Sequence, residues 1–468
     1  MTIESQAIQP AMSHDIAQEK IKFGEKFAFV LMQMGNTPII YLASTFLLIF
    51  YTDVVHLDPA AVATLFLISR IVDACYDPVM GYILDHMPRT KMGKFRPLLL
   101  IGVVLCCLNY MVLWFGPVWA TDGKLLIAFI SYLLLGATYD LMDISKNSML
   151  PVMTSNMKER STLGTLGALG AILGGTVLAI AAPLILAAGK SSLQSYYTLI
   201  FLAIGFVAVL SIWGVLGTKE RVFQGGEEIK YSFRDFLRIL SQRPVLMTFV
   251  FGLLFSMGFY GSQAVGAYFF TYVMKDLALL GAVSLVQVVG LLPGLFLSVT
   301  LSMRLGKKRA LIYAILLLVV ITLLRLIAPT SVALVYISTL VGGFVLGLFT
   351  PILLVMGADN IDYVEYKMNF RSEAAVQSSM SFVSKVANGL GAAIPGYVLG
   401  LTGYIANSQQ QPDSTITGII LCVTVLPVVL YLAATVVLGF GYNVDKNLLQ
   451  TIQTTLSERR AAKSTQAK

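Results

Sequence analysis

The feature that most constrains this 468-residue chain is its series of long apolar runs. A helix needs about 20 mostly apolar residues to cross a bilayer. Runs of that kind occur at 27–50, 60–84, 97–117, 125–149, 162–188, 194–215, 244–273, 279–301, 310–328, 332–356, 374–402 and 415–440. In lipid every backbone polar group must pair internally, which leaves helices or a closed barrel. Barrel strands alternate and are about 10 residues long, so these longer runs predict helices. Only 12% of residues are charged and 57% are hydrophobic. Soluble proteins carry roughly 25% charge to keep their surfaces in water. A soluble enzyme and a nucleic-acid-binding protein are therefore excluded first. The expected fold is an all-α integral membrane protein with twelve transmembrane helices.

The basic residues set an orientation. With both termini cytoplasmic, 26 of the 33 Lys and Arg residues fall on that side and four (Lys124, Lys190, Lys275 and Arg325) on the other. Three lie within spans: Arg70, Lys146 and Lys385. Cytoplasmic loops hold the excess of Lys and Arg, so the net +8 reports topology, aided by anionic headgroups. The longest hydrophilic internal segment, 216–243, divides the spans into two groups of six. The expected layout is a cytoplasmic tail (1–26), a six-helix bundle (27–215), a cytoplasmic middle loop (216–243), a second six-helix bundle (244–440) and a cytoplasmic tail (441–468). The polar first 26 residues lack the regions of a cleaved signal peptide. Cys75, Cys106, Cys107 and Cys422 fall in apolar stretches without metal-site spacing and read as small hydrophobes.

Ionisable groups inside a span are costly and mark an interior or aqueous pathway. Arg70, Asp73 and Asp77 share one face of the second span, at spacings of three and four. Asp140, Asp143, Lys146 and Asn147 share a broad face of the fourth. Lys385 stands in the eleventh, with Gln377, Ser381 and Asn388 near its register. Carboxylates gathered this way suit a cation: Na⁺ takes several oxygens, and H⁺ takes one carboxylate raised by burial and like charge. The same residues also suit a structural ion network, with Arg70 serving Asp73 and Lys146 serving Asp143 or Asp140. Tyr139, Tyr260, Tyr268 and Gln263 offer ring faces and hydrogen bonds to a polyhydroxyl ligand, although tyrosines also populate interfacial belts.

These motifs resemble the glycoside-pentoside-hexuronide:cation symporter family, the melibiose-permease-like branch of the major facilitators. The likeness rests on Arg70-Ile-Val-Asp73-Ala-Cys-Tyr76-Asp77-Pro78-Val-Met-Gly81 and Gly93-Lys-Phe-Arg96-Pro97. Tyr51-Thr-Asp-Val54, Tyr139-Asp-Leu-Met-Asp143 and Asp359-Asn-Ile-Asp362-Tyr-Val-Glu365-Tyr, followed by Arg371, Glu373 and Lys385, extend it. The resemblance implies the major facilitator fold, in which two six-helix halves rock about a central site. It implies that Asp73 and Asp77 bind the cation, that Asp143 is shared between cation and sugar, and that Lys385 communicates with that site. Asp359, Asp362, Glu365 and Arg371 match cytoplasmic gate or scaffold positions.

The departures narrow the expectation. Where melibiose-type carriers have an Asn three residues after the first Asp, this chain has Tyr76. Where they have a Thr three before the fourth-helix acid, it has Asp140. An amide oxygen is lost and a carboxylate gained, leaving H⁺ and Na⁺ both open with the extra acid favouring H⁺. Their sugar-binding Asp, Arg and Trp align with Thr37, Ala168 and Asn147, so galactosides of the melibiose kind are not expected. Lys146 is an added cation that would suit a sugar acid's carboxylate or neutralise Asp140.

The expected activity is H⁺- or Na⁺-coupled import of a sugar or sugar acid across the bacterial inner membrane. No cofactor is expected, and no nucleotide-binding Gly-rich loop is present to suggest ATP drive. The expected partners are a small solute and membrane lipids, with no nucleic acid and no obligate protein. A lysolipid carrier of the same fold and a non-transporting sensor or scaffold are the competing readings. An enzyme finds no support: His14, His56 and His86 lie at polar or loop positions and suggest no nucleophile–base pair.

Overall fold

The computed structural model describes residues 20–87, 90–154, 156–221, 238–368, 373–408, 410–444, 448–452, 454–456 and 458–459. Within helices the side chains of 74–86, 157, 158, 161, 373–379 and 381 also lie outside the description. The chain divides into two compact units, residues 1–228 with 276–281 and residues 229–275 with 282–468.

The first unit contains α1 (Phe23–Asp53), α2 (Pro59–His86), α3 (Phe95–Trp119), α4 (Lys124–Met153), α5 (Met157–Ala188) and α6 (Leu193–Gly217). Local chemistry sets several of these ends. The Asp58 carboxylate accepts the Ala61 N–H at 2.8 Å, and Pro59, with no N–H to satisfy, opens α2. Ser192 caps α6. The start of α3 is capped from a distance: Glu220, just past α6, accepts the backbone N–H groups of Lys94, Phe95 and Arg96 at 2.8–2.9 Å. A carboxylate there satisfies otherwise unpaired donors and meets the positive end of the helix. Arg96 returns the contact by donating Nε to the Val215 carbonyl of α6 at 3.0 Å. Helix α1 packs on α5 and α6, and α4 on α2 and α3. An aromatic group of Phe50, Tyr110, Trp114 and Tyr196 fills the interior. Tyr51 and Tyr110 donate their hydroxyls to the carbonyls of Leu113 and Ile39.

The second unit contains α7 (Arg243–Tyr268), continued by a π-helical turn (Phe269–Val273), then most of α8 (Ala278–Leu305). It continues with α9 (Lys307–Leu324), α10 (Val332–Met368), α11 (Glu373–Leu401), α12 (Asp413–Val423) and α13 (Val425–Val436), which ends in a second π-helical turn (Val437–Gly441). Phe251, Phe255, Phe349 and Tyr431 centre its core. Helices α8 and α10 approach backbone to backbone at Gly290 and Gly294 on one and Gly343 and Gly347 on the other. A Cβ at any of the four would collide with a carbonyl of the opposing helix. After α13, Ile452 and Leu456 are buried, and Arg459 donates to the Tyr366 carbonyl at 3.2 Å.

Nine described helical segments are long and apolar enough to cross a membrane, which makes this a multi-pass membrane protein. Two details differ from the sequence reading. The run predicted at 332–356 continues as helix to Met368, because once outside lipid a helix no longer needs apolar residues. The run predicted at 415–440 is interrupted at Thr424, whose hydroxyl turns back to the Ile420 carbonyl.

Candidate functional site

Helices α2 and α4 of the first unit carry the acids singled out above, and α1 adds a partner. On α2, Arg70 and Asp73 are 9% and 4% exposed and form an ion pair, Arg70 NH1 to Asp73 Oδ2 at 3.2 Å. Its second terminal nitrogen, NH2, donates to the Tyr132 hydroxyl of α4 at 3.0 Å, with Cζ 5.3 Å from that ring's centroid. Arg70 also lies within electrostatic reach of Asp140, which is buried. The Asp73 carboxylate sits against Gly136 of α4, where a side chain would occupy its space. Asp77 is one turn further along α2, and its side chain lies outside the described residues.

Asp143 has different surroundings. Its Oδ1 accepts from Lys146 Nζ at 2.9 Å and from the Asn36 amide of α1, and its Oδ2 accepts from the Asn147 amide at 2.9 Å. The Asn36 amide nitrogen also reaches the Tyr139 hydroxyl at 3.3 Å. Asn36 and Lys146 are 2% and 7% exposed, and the Asn36 amide oxygen is buried with no hydrogen-bond partner among the described residues. Lys146 thus pairs with Asp143, one of the two acids the sequence allowed.

Tyr139, Asp143, Lys146 and Asn147 form one cluster, and Arg70 and Asp73 another. Asn36, Tyr132 and Gly136 were not anticipated. An amide inside an apolar run was the available signal for Asn36. Nothing in the spacing pointed to Tyr132 or Gly136, whose roles depend on how α2 lies against α4. Among the described residues no three His, Cys, Asp or Glu side chains converge as a metal site. The first unit's spans carry four carboxylates (Asp73, Asp77, Asp140, Asp143) against two bases (Arg70, Lys146). Carboxylates held in a low-dielectric interior, as Asp73 and Asp140 are, favour uptake of positive charge, either as a proton or as a cation.

The remaining candidates belong to the second unit. Tyr260 and Gln263 are on α7, Lys385 on α11, and the Ser381 side chain lies outside the described residues. Asp359, Asp362 and Glu365 follow one face of α10 at intervals of three. Asp359 pairs with Lys307 at the start of α9. Next to it, Asn360 donates to the Thr248 hydroxyl of α7 at 3.0 Å. Arg371 lies outside the described residues.

Residues 29–446 match the family described as MFS/sugar transport protein. The isoprimeverose transporter of Lactiplantibacillus pentosus is 31% identical over 453 residues, covering 94% of this chain and 92% of its own. The glucuronide carrier protein homolog of Escherichia coli is 28% identical over 433 residues, covering 91% and 93%. Among solved structures, a mutant of the nucleoside transporter NupG superimposes with a TM-score of 0.62 at 13% identity, covering 88% of this chain and 99% of that one. That likeness concerns the fold alone.

Proposed function

Since the chain belongs to the MFS/sugar transport protein family, we propose that it imports a glycoside, pentoside or hexuronide together with H⁺ or Na⁺ by alternating access. The supporting observation is the surplus of intramembrane carboxylate in the first unit, with Asp73 buried and braced by Arg70. A cation entering there offsets the charge and stabilises the conformation that also binds sugar, so the two ligands raise each other's affinity. In this reading Asp73, Asp77, Asp140 and Asp143 serve the cation, and Lys385 contributes to coupling. Candidate sugar contacts are Tyr139, Lys146 and Asn147 on α4, and separately Tyr260, Gln263 and Ser381. Asp359, Asp362, Glu365 and Arg371 are assigned to the cytoplasmic gate.

The proposed layout has twelve spans in two halves, with both termini cytoplasmic, in a bacterial inner membrane. The names of the relatives support the sugar class: one is an isoprimeverose transporter and another a glucuronide carrier homolog. Uptake into vesicles under an imposed H⁺ or Na⁺ gradient tests the coupling. Accumulation should collapse with one of the two gradients, and accumulation indifferent to both would refute symport. Asp77→Asn should abolish accumulation while folded protein remains in the membrane.

A further inference from the structure

We propose that the Lys146 ammonium is a built-in counter-cation for Asp143, standing where a transported metal ion would stand. Asp143 then does not bind Na⁺ in the native protein and becomes a Na⁺ ligand only once Lys146 is removed. This inference rests on the reading of the chain as a cation-coupled carrier and assigns the ion preference of one of its acids.

Three observations carry it. Lys146 is buried, and its Nζ lies 2.9 Å from Asp143 Oδ1 on the same helix, so the positive charge is tethered and cannot diffuse away. The other hydrogen bonds of the Asp143 carboxylate among the described residues come from donors: the Asn36 amide nitrogen on Oδ1 and the Asn147 amide nitrogen on Oδ2. A hard cation needs oxygens turned toward it, and here N–H groups occupy those directions. Finally, the Asn36 amide oxygen is buried without a partner among the described residues.

Oxygens for a cation are therefore present but turned away. With Lys146 in place, rotating the Asn36 amide would set its oxygen against the Asp143 carboxylate, which is repulsive. Without Lys146, the same rotation at Asn36 and Asn147 gives two amide oxygens beside the carboxylate and the Tyr139 hydroxyl. That set comes from α1 and α4 and has the chemistry of an alkali-cation site. In this arrangement Lys146 is a selectivity residue for the ion.

The test is thermal unfolding of the purified full-length protein without sugar, in NaCl and in equimolar choline chloride. The native protein and Asp143→Asn should respond equally to Na⁺. Lys146→Met should gain a Na⁺-dependent rise in melting temperature of several degrees, and Lys146→Met combined with Asp143→Asn should lose it. A Na⁺ response of the native protein that shrinks in Asp143→Asn would overturn the proposal. So would a folded Lys146→Met that gains none. If Lys146→Met does not fold, the comparison of native with Asp143→Asn decides alone. Gradient-driven uptake is scored separately: its absence would defeat the carrier reading while leaving this result standing.

Discussion

Single residues here act through the cost of stranding a charge. Removing one partner of a buried ion pair leaves the other without compensation, at a cost of about 3–5 kcal/mol. Arg70→Leu should destabilise the protein on that scale in thermal or denaturant unfolding, because Asp73 stays buried beside it. Arg70→Leu with Asp73→Leu should recover much of the loss, and the double-mutant cycle measures the coupling. Gly136→Ala tests position without changing any charge. Its methyl group would press on the Asp73 carboxylate, and overpacking on the order of 1–3 kcal/mol should lower the melting temperature, with uptake reduced alongside it. Arg70, Asp73, Asp143 and Lys146 were legible in the sequence because a charge in an apolar run has few innocent explanations. The Asn36 contact was not, since it joins residues 107 positions apart and exists only once α1 lies beside α4.

At the level of elements, stability depends on how helix ends are satisfied and how closely helices approach. Glu220→Gln removes the charge from the cap of α3, and Glu220→Ala removes the cap itself. The alanine variant should lose about 1–2 kcal/mol in thermal unfolding, and the glutamine variant less. Gly343→Ala and Gly342→Ala form a matched pair. The first drives a methyl into the Gln287 carbonyl, whereas the second meets only Leu318 at 3.7 Å. Only Gly343→Ala should lower the melting temperature. Apolar run length announced these helices well, but it could not show where they end or break. The last twelve residues of α10 are mixed in polarity, so the hydropathy signal stops at Met356 while the backbone hydrogen bonding continues. The interruption at Thr424 follows from local geometry inside a run that is apolar throughout.

For the whole molecule, the testable quantity is orientation. Of the basic residues outside spans, 26 are assigned to one side and four to the other. In the proposed orientation, a reporter active only on the non-cytoplasmic side of the membrane should be silent when fused after Lys219 and active after Lys190, and the opposite pattern would reverse the topology. The size of α10 bears on how the molecule could be seen. Its 37 residues rise about 55 Å at 1.5 Å each, against a hydrocarbon core of about 30 Å. Even a tilt of about 40°, the upper end for membrane helices, leaves part of it outside the core. The exposed Arg459 side chain braces that helix near Tyr366 by hydrogen bond and ring contact. Electron-microscope particle images of a membrane protein align best on a feature that stands clear of the lipid. An antibody fragment raised against the Tyr366–Arg459 corner would hold a firm landmark there, and helix and tail together would keep it from swinging.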